Sequence, residues 1–206
     1  MNKKLWEIRH QNSRGRFNRV TEFAKFSYEH FLKSKKGTLL DLGCGKGADS
    51  IFFYENGFEV SCIDFSQEAI KQFNEIQNRK GVFITALVRD ISERFPFEKE
   101  SFDVVYSRLG LHNLKDEDLK NVFSEIKRVL KNNGILLLQT KSVNDKKYGR
   151  GNEIEDNIFK DELGFTRHFF SKEEIKDYLK DFLLIFLDEK KIDNGNAYLE
   201  ICAQKE

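Results

Sequence analysis

Short apolar runs alternate with longer stretches in which apolar residues recur every three or four positions, and this alternation repeats along most of the chain. Thr38–Asp41, Glu59–Asp64, Val82–Leu87, Phe102–Tyr106 and Ile135–Gln139 read as strands. The last of these is nearly continuous in apolar residues, as a strand covered on both faces requires. Between them lie helical patterns. One starts near Ser50 with Ile51, Phe52 and Phe53, and one is capped by Ser66 and carries Ala69, Ile70, Phe73 and Ile76. A third is capped by Asp116, presents Leu119, Val122, Phe123, Ile126 and Leu130, and is ended by Asn132-Asn133-Gly134. Strands separated by helices predict an α/β domain with a mostly parallel sheet.

The two ends depart from this rhythm. The opening is polar and basic as far as Arg16, after which Phe17, Val20, Ala24, Phe31 and Leu32 predict one N-terminal helix. From Lys141 to Arg167 the periodicity disappears into a polar, glycine-containing stretch, long enough to predict a substrate-side lid or insertion over 141–170. Ser171-Lys172-Glu173-Glu174 reads as a capping box opening a helix to about Asp181. Phe182–Leu187 and Ala197–Ala203, joined by Asp193-Asn194-Gly195-Asn196, predict a closing hairpin and therefore one antiparallel strand. The organisation expected is an N-terminal helical extension or lid over 1–36 and one domain over 37–206.

Charge and composition narrow the partners. Lys and Arg number 35 against 34 Asp and Glu, a net charge of +1, so no footprint for a polyanion exists and no nucleic acid is expected. The N-terminus lacks the apolar centre of a signal peptide, and no apolar stretch approaches the roughly 20 residues that span a bilayer, so a cytoplasmic protein away from membranes is expected. Cys44, Cys62 and Cys202 are odd in number and lack metal-ligand spacing, which predicts free thiols and no metal site.

The chemistry gathers at Asp41-Leu42-Gly43-Cys44-Gly45-Lys46-Gly47-Ala48, three glycines between a strand and a helix, where a ligand can lie against backbone N–H groups. Gly43, Gly45 and Ala48 also satisfy G-x-G-x-x-G/A with Asp64 ending the next strand, so a nicotinamide-dependent oxidoreductase is one reading. Asp41 argues against it. A carboxylate would repel a diphosphate, whereas it can help hold an ammonium.

An acid two residues before G-x-G-x-G resembles the first motif of the class I, Rossmann-like S-adenosylmethionine-dependent methyltransferases. That resemblance implies a three-layer αβα sandwich with a mostly parallel seven-stranded sheet whose last strand is antiparallel. It also implies S-adenosylmethionine as cofactor and S-adenosylhomocysteine as product. It assigns Asp41 to the methionine ammonium, Gly43, Cys44, Gly45 and Gly47 to the turn against which the cofactor lies, and Asp64 to the two ribose hydroxyls, with Phe65 and Ser66 beside the adenosine. Asp90 would reach the adenine amino group, Ile91 its ring, and Ser107 the methionine end. The segment from Tyr148-Gly149 to Arg167-His168-Phe169-Phe170-Ser171 is similar to that of small bacterial methyltransferases of the tellurite-resistance or thiopurine type.

The acceptor side is read from comparison with the motifs of known methyltransferase subfamilies and from residue chemistry. Tyr106-Ser107-Arg108-Leu109 stands where amino-methylating enzymes carry Asn/Asp-Pro-Pro-Tyr/Phe, and no carboxylate cluster resembles the metal site of catechol methylators, so a metal-free enzyme with a small-molecule acceptor is expected. His112 and His168 are the candidate general bases. Tyr148, Arg150 and Arg167 are candidates for an anionic substrate, and Trp6, Arg14 and Arg16 for a segment closing over the site. A non-catalytic S-adenosylmethionine-binding sensor is the alternative, since no residue is compelled to be catalytic.

Overall fold

The computed structural model describes residues 3–13 and 19–206. Strands β1 (Gly37–Leu42), β2 (Phe58–Asp64), β3 (Thr85–Val88), β4 (Phe102–Arg108) and β5 (Leu130–Lys141) pair in parallel, in the order β3-β2-β1-β4-β5. The sheet ends in a C-terminal hairpin. Its strands β9 (Phe182–Lys191) and β10 (Ala197–Lys205) extend the order as β5-β10-β9, with β10 antiparallel to both neighbours. The seven-stranded sheet with a reversed last strand is therefore as the chain pattern predicts.

Period-two alternation along β1 shows how one sheet carries two cores. Leu39 packs into one apolar cluster with Val60, Cys62, Val104, Tyr106 and Phe53, while Leu40 and Leu42 face another with Ile63, Val105, Leu136 and Leu138. Helices α3 (Ala48–Glu55) and α4 (Gln67–Lys80) cover the first face, α5 (Asp116–Val129) and α6 (Lys172–Tyr178) the second. The buried stripe of α5 is Leu119, Val122, Phe123, Ile126 and Val129, each worth about 1.5–3 kcal/mol when fully buried.

Several boundaries differ from the pattern-based reading, each for a local reason. Lys115, not Asp116, is the N-cap of α5, because Asp116 is spent on Lys120 and on the Tyr178 hydroxyl. Leu130 belongs to β5 rather than to the helix, and Asn133 in the left-handed region (φ +62°) absorbs a register irregularity within that strand. Ser171 caps α6 through the Glu174 N–H (3.0 Å), but the box is half made, since the Glu174 carboxylate turns to His168. The third strand is shorter than predicted, although Val82 and Ile84 before it are still buried.

Larger differences lie at the two aperiodic segments. The polar opening is itself a helix, α1 (Lys3–Asn12), with no buried residue. The predicted N-terminal helix is α2 (Glu22–Ser27), extended by a π-turn over Tyr28–Leu32; Phe17 lies outside the described residues. The stretch after β5 is no bare loop. It forms a small antiparallel sheet of β6 (Asn152–Glu155), β7 (Ile158–Lys160) and β8 (Thr166–His168). Its core residues Ile158, Phe159 and Phe169 are too few to announce themselves as periodicity.

Candidate functional site

In a doubly wound sheet the crevice opens where neighbouring strands send their connections in opposite directions, which here is between β1 and β4. The carboxyl ends of those strands line a cavity of about 550 Å³, a size that suits a small molecule. Its walls include Asp41, Gly43, Cys44, Gly45, Asp64, Phe65 and Ile91, seven of the eleven residues expected around the cofactor.

The glycine turn is held open by backbone geometry. Gly43, Gly45 and Gly47 have φ of +75°, +56° and +74°, a region that side chains disfavour. A Cβ on Gly47 would lie 2.3 Å from the Phe73 ring, so that glycine packs the turn against α4 and caps α3 rather than lining the cavity. Gly43 stands close to Gly110, where a Cβ would come 3.1 Å from the Gly110 Cα, and this keeps the β1 and β4 ends in near contact.

Two buried acids flank that turn. Asp41 accepts from the Ser50 hydroxyl (2.6 Å), and burial, with Asp49 and Asp64 nearby, pushes its pKa up to about 8. A buried carboxyl in that state favours a cation at its side, and the ammonium of a methionine moiety is such a group. Each oxygen of Asp64 accepts one backbone bond, from Gly45 N–H and Ser66 N–H (both 2.8 Å), and burial raises its pKa to about 6. An ionised carboxylate has about four acceptor positions, so lone pairs remain for ligand hydroxyls. The cradle of bare backbone and these two acids fit S-adenosylmethionine.

The remaining expected contacts are placed otherwise. Ser66 caps α4 through Ala69 N–H, and Ser107 donates to the Leu42 carbonyl (2.8 Å), tying β4 to β1 from behind the cavity wall. Asp90 turns to Lys3 (2.7 Å) and Ser92; burial alone would raise its pKa, but those bonds outweigh it and hold the carboxyl below its usual range. Ile91, not Asp90, forms the wall there.

The near side is built by Trp6, which was expected to close over the site, and by residues that pattern reading missed. Asp49 accepts from Thr21 N–H, from the Thr21 hydroxyl and from the buried Tyr106 hydroxyl, all at 2.8 Å, and lines the cavity. Helix α1 lies over the opening. The Glu7 carboxylate accepts from Ser66 Oγ, Gln67 N–H and Glu68 N–H at the start of α4, and Trp6 packs edge-on against Phe165, the residue before β8 (5.3 Å). Trp6 and His10 face the cavity, and burial lowers the His10 pKa to about 4. Arg14 and Arg16, expected in the closing segment, lie outside the described residues.

The two histidines separate. His112 lines the cavity, but burial, followed by the charges of Lys141 and Arg167, lowers its pKa to about 3, which leaves it neutral and a poor proton acceptor at pH 7. His168 is outside the cavity. It pairs with Glu174 and stacks on Phe170 (4.0 Å), facing a separate groove between α5 and α6. Of the expected substrate residues, Trp6 and Arg167 reach the cavity; Tyr148 donates to Asn157 (2.8 Å), and Arg150 lines a smaller recess. Among the described residues no group of three His, Cys, Asp or Glu is placed to hold a metal, no helix is long and apolar enough to cross a membrane, and the three cysteines are free.

Known proteins show the same architecture. Residues 39–134 match the family model described as a methyltransferase domain. An S-adenosylmethionine-dependent methyltransferase of Methanosarcina mazei superimposes with a TM-score of 0.73 at 25% identity, covering 82% of this chain and 92% of that one. A 1,6-didemethyltoxoflavin-N1-methyltransferase of Burkholderia thailandensis, solved with its substrate and S-adenosylhomocysteine, gives 0.80 at 17% identity over 98% of this chain and 86% of that one. A tRNA N(3)-cytidine methyltransferase of Xenopus tropicalis is 26% identical over 168 residues, 76% of this chain and 48% of that protein. The chain spans about half the length of the curated relatives it matches. Its fold is that of the class I S-adenosylmethionine-dependent methyltransferases, and just under half of the chain matches the methyltransferase domain.

Proposed function

We propose that this protein transfers the methyl group of S-adenosylmethionine to a small-molecule acceptor and releases S-adenosylhomocysteine. The observation that carries the reading is one cavity that begins at the glycine turn with Asp41 and Asp64, passes Gly110 and His112, and is roofed by α1. A roofed cavity suits a small acceptor better than a folded polymer, and the net charge of +1 offers no broad surface for nucleic acid. Asp41, Asp64, Phe65 and Ile91, with the backbone of Gly43, Cys44 and Gly45, are the residues we assign to the cofactor. Asp90 joins them only if Lys3 releases it.

When bound, the cofactor would supply an electrophilic sulfonium methyl for the lone pair of an acceptor, and Asp41, Asp64 and the backbone of the glycine turn would hold it. The protein aligns the nucleophile behind the methyl and excludes water, effects that supply about 7–11 kcal/mol when the geometry is good. Neutral His112 can orient the acceptor by hydrogen bonding, so an acceptor that is already deprotonated is favoured.

Thermal melting tests the first half. S-adenosylhomocysteine at 100 times its dissociation constant adds about 2.7 kcal/mol of stability; stabilisation by NAD instead would refute the assignment. Methyl transfer from labelled cofactor into fractionated metabolite pools tests the second. Binding without transfer to any pool would make the protein a sensor, and transfer only into RNA would displace the small-molecule acceptor.

A further inference from the structure

Cations gather beyond Gly110, in addition to Lys46 at the glycine turn and Arg9 and Arg19 from the N-terminal segments. Asp41, Asp49 and Asp64 stand at the glycine-turn end, whereas Arg108 at the end of β4, Lys141 at the end of β5, Lys147 just after it and Arg167 on β8 face the far end. Two carboxylates answer these four cations: Asp145 pairs with Lys141 (2.6 Å) and Asp161 with Arg167 (2.6 Å). Among the described residues no carboxylate pairs with Arg108 or Lys147, and the Arg108 Nε is buried without a hydrogen-bond partner. His112 Nδ1 and Asn113 Oδ1, on the same wall, are also buried without partners.

The cations are close enough to oppose one another. Burial lowers the pKa of Lys141, its bond to Asp145 opposes this, and the charges of Arg167 and Arg108 lower it further; burial and then the charges of Arg167 and Lys141 lower that of Lys147. Unpaired like charges in a partly desolvated cavity disfavour the empty state and favour an anion that bridges them. The carboxylate of a bound methionine moiety would satisfy one cation. Two lack a partner.

We infer that the methyl acceptor is itself an anion, a small molecule whose carboxylate or phosphate seats between Arg108, Lys147 and Arg167. The inference rests on the methyl-transfer reading for the word acceptor, while the anion site stands on the cations alone. Charge-assisted bonds to arginine suit both oxyanions, and phosphate offers more acceptor oxygens.

The test is a melting titration at constant ionic strength, with and without saturating S-adenosylhomocysteine, using inorganic phosphate, succinate, and glycerol as the uncharged control. Phosphate or succinate raises the melting temperature and glycerol does not; the stronger of the two anions identifies a phosphate or a carboxylate acceptor. Arg108→Met and the exposed Lys147→Met each weaken that response by about tenfold or more, while the shift with S-adenosylhomocysteine persists. Lack of any anion response beyond the ionic-strength control overturns the proposal. So does an Arg108→Met protein that loses S-adenosylhomocysteine affinity but keeps its anion response, since Arg108 would then serve the cofactor. If S-adenosylhomocysteine fails to bind the unaltered protein, the methyl-transfer reading falls and the anion titration without it still decides the site.

Discussion

Glu7 and Ser66 join the roof helix to the domain: Ser66 Oγ donates to Glu7 Oε2 at 2.9 Å and at the same time caps α4 by accepting from Ala69 N–H at 3.0 Å. Gln67 N–H (2.7 Å) and Glu68 N–H (3.1 Å) complete the contact, so one carboxylate from α1 satisfies free donors at the N-terminus of α4. Because α1 buries no residue, this contact, Lys3–Asp90 and Trp6–Phe165 are prominent among the tethers that keep it over the cavity. Glu7→Ala therefore costs about 0.5–2 kcal/mol locally. Amide exchange should accelerate in α1 and at residues 66–68 and leave β1 and β4 unchanged. Unaltered protection of α1 would show that the helix is held by something else.

Asp41 makes folding and binding pH-dependent. Its folded pKa of about 8 lies above the ordinary carboxyl value near 3.8, so between those limits the folded state binds more protons than the unfolded. The stability from this group is complete below about pH 4 and is lost as pH rises through 8. Asp41→Asn should flatten the decline over that window. A bound ammonium would draw the pKa back down, so binding of S-adenosylhomocysteine at pH 7 should release a proton from Asp41. Calorimetry in two buffers of different ionisation enthalpy reads this directly, and no difference between buffers would remove Asp41 from the ammonium site.

Gly47 and Gly45 separate packing from conformation. Both have positive φ, but an alanine Cβ at Gly47 would enter the Phe73 ring, whereas at Gly45 its nearest neighbour is His10 Cε1 at 3.9 Å. Gly47→Ala should lose about 1–3 kcal/mol from overpacking in addition to backbone strain. Gly45→Ala should lose about 1 kcal/mol and keep the fold. Equal melting temperatures for the two variants would contradict the assigned role of Phe73.

The sheet was readable because its information is local: Leu39 and Leu40 declare a buried strand, and Ser66 opens α4 within one stretch of chain. The glycine turn with Asp41 and Asp64 was readable for the same reason, its residues lying at successive strand ends. A closing N-terminal segment with Trp6 was also expected, but not the contacts that hold it, nor the basic part of the cavity apart from Arg167. Helix α1 owes its position to Glu7 meeting residues 66–68, and Asp49 to Tyr106 and Thr21, contacts between distant segments that no periodicity encodes. Arg108, Lys141 and Lys147 look like ordinary surface charge until β4, β5 and the small sheet bring them to one cavity. His168, a candidate base by residue type alone, takes its place from Phe170 and Glu174, contacts that its position in the chain does not announce.

His112 tests whether the reaction needs a base from the protein. With its pKa lowered to about 3, the imidazole is neutral throughout pH 5–8, and its folded pKa below the unfolded value of about 6.5 costs stability only as pH falls below that value. The rate of methyl transfer should therefore show no inflection near pH 6.5. His112→Gln, which keeps a hydrogen-bonding side chain, should lower the rate by less than the roughly 10²-fold or greater loss that accompanies removal of a general base. A bell or step in kcat/KM near neutral pH that disappears in this variant would restore His112 as the base. It would also require the bound acceptor to raise the imidazole pKa, as an anion placed between Arg108 and Arg167 would do by neutralising the charges that now lower it.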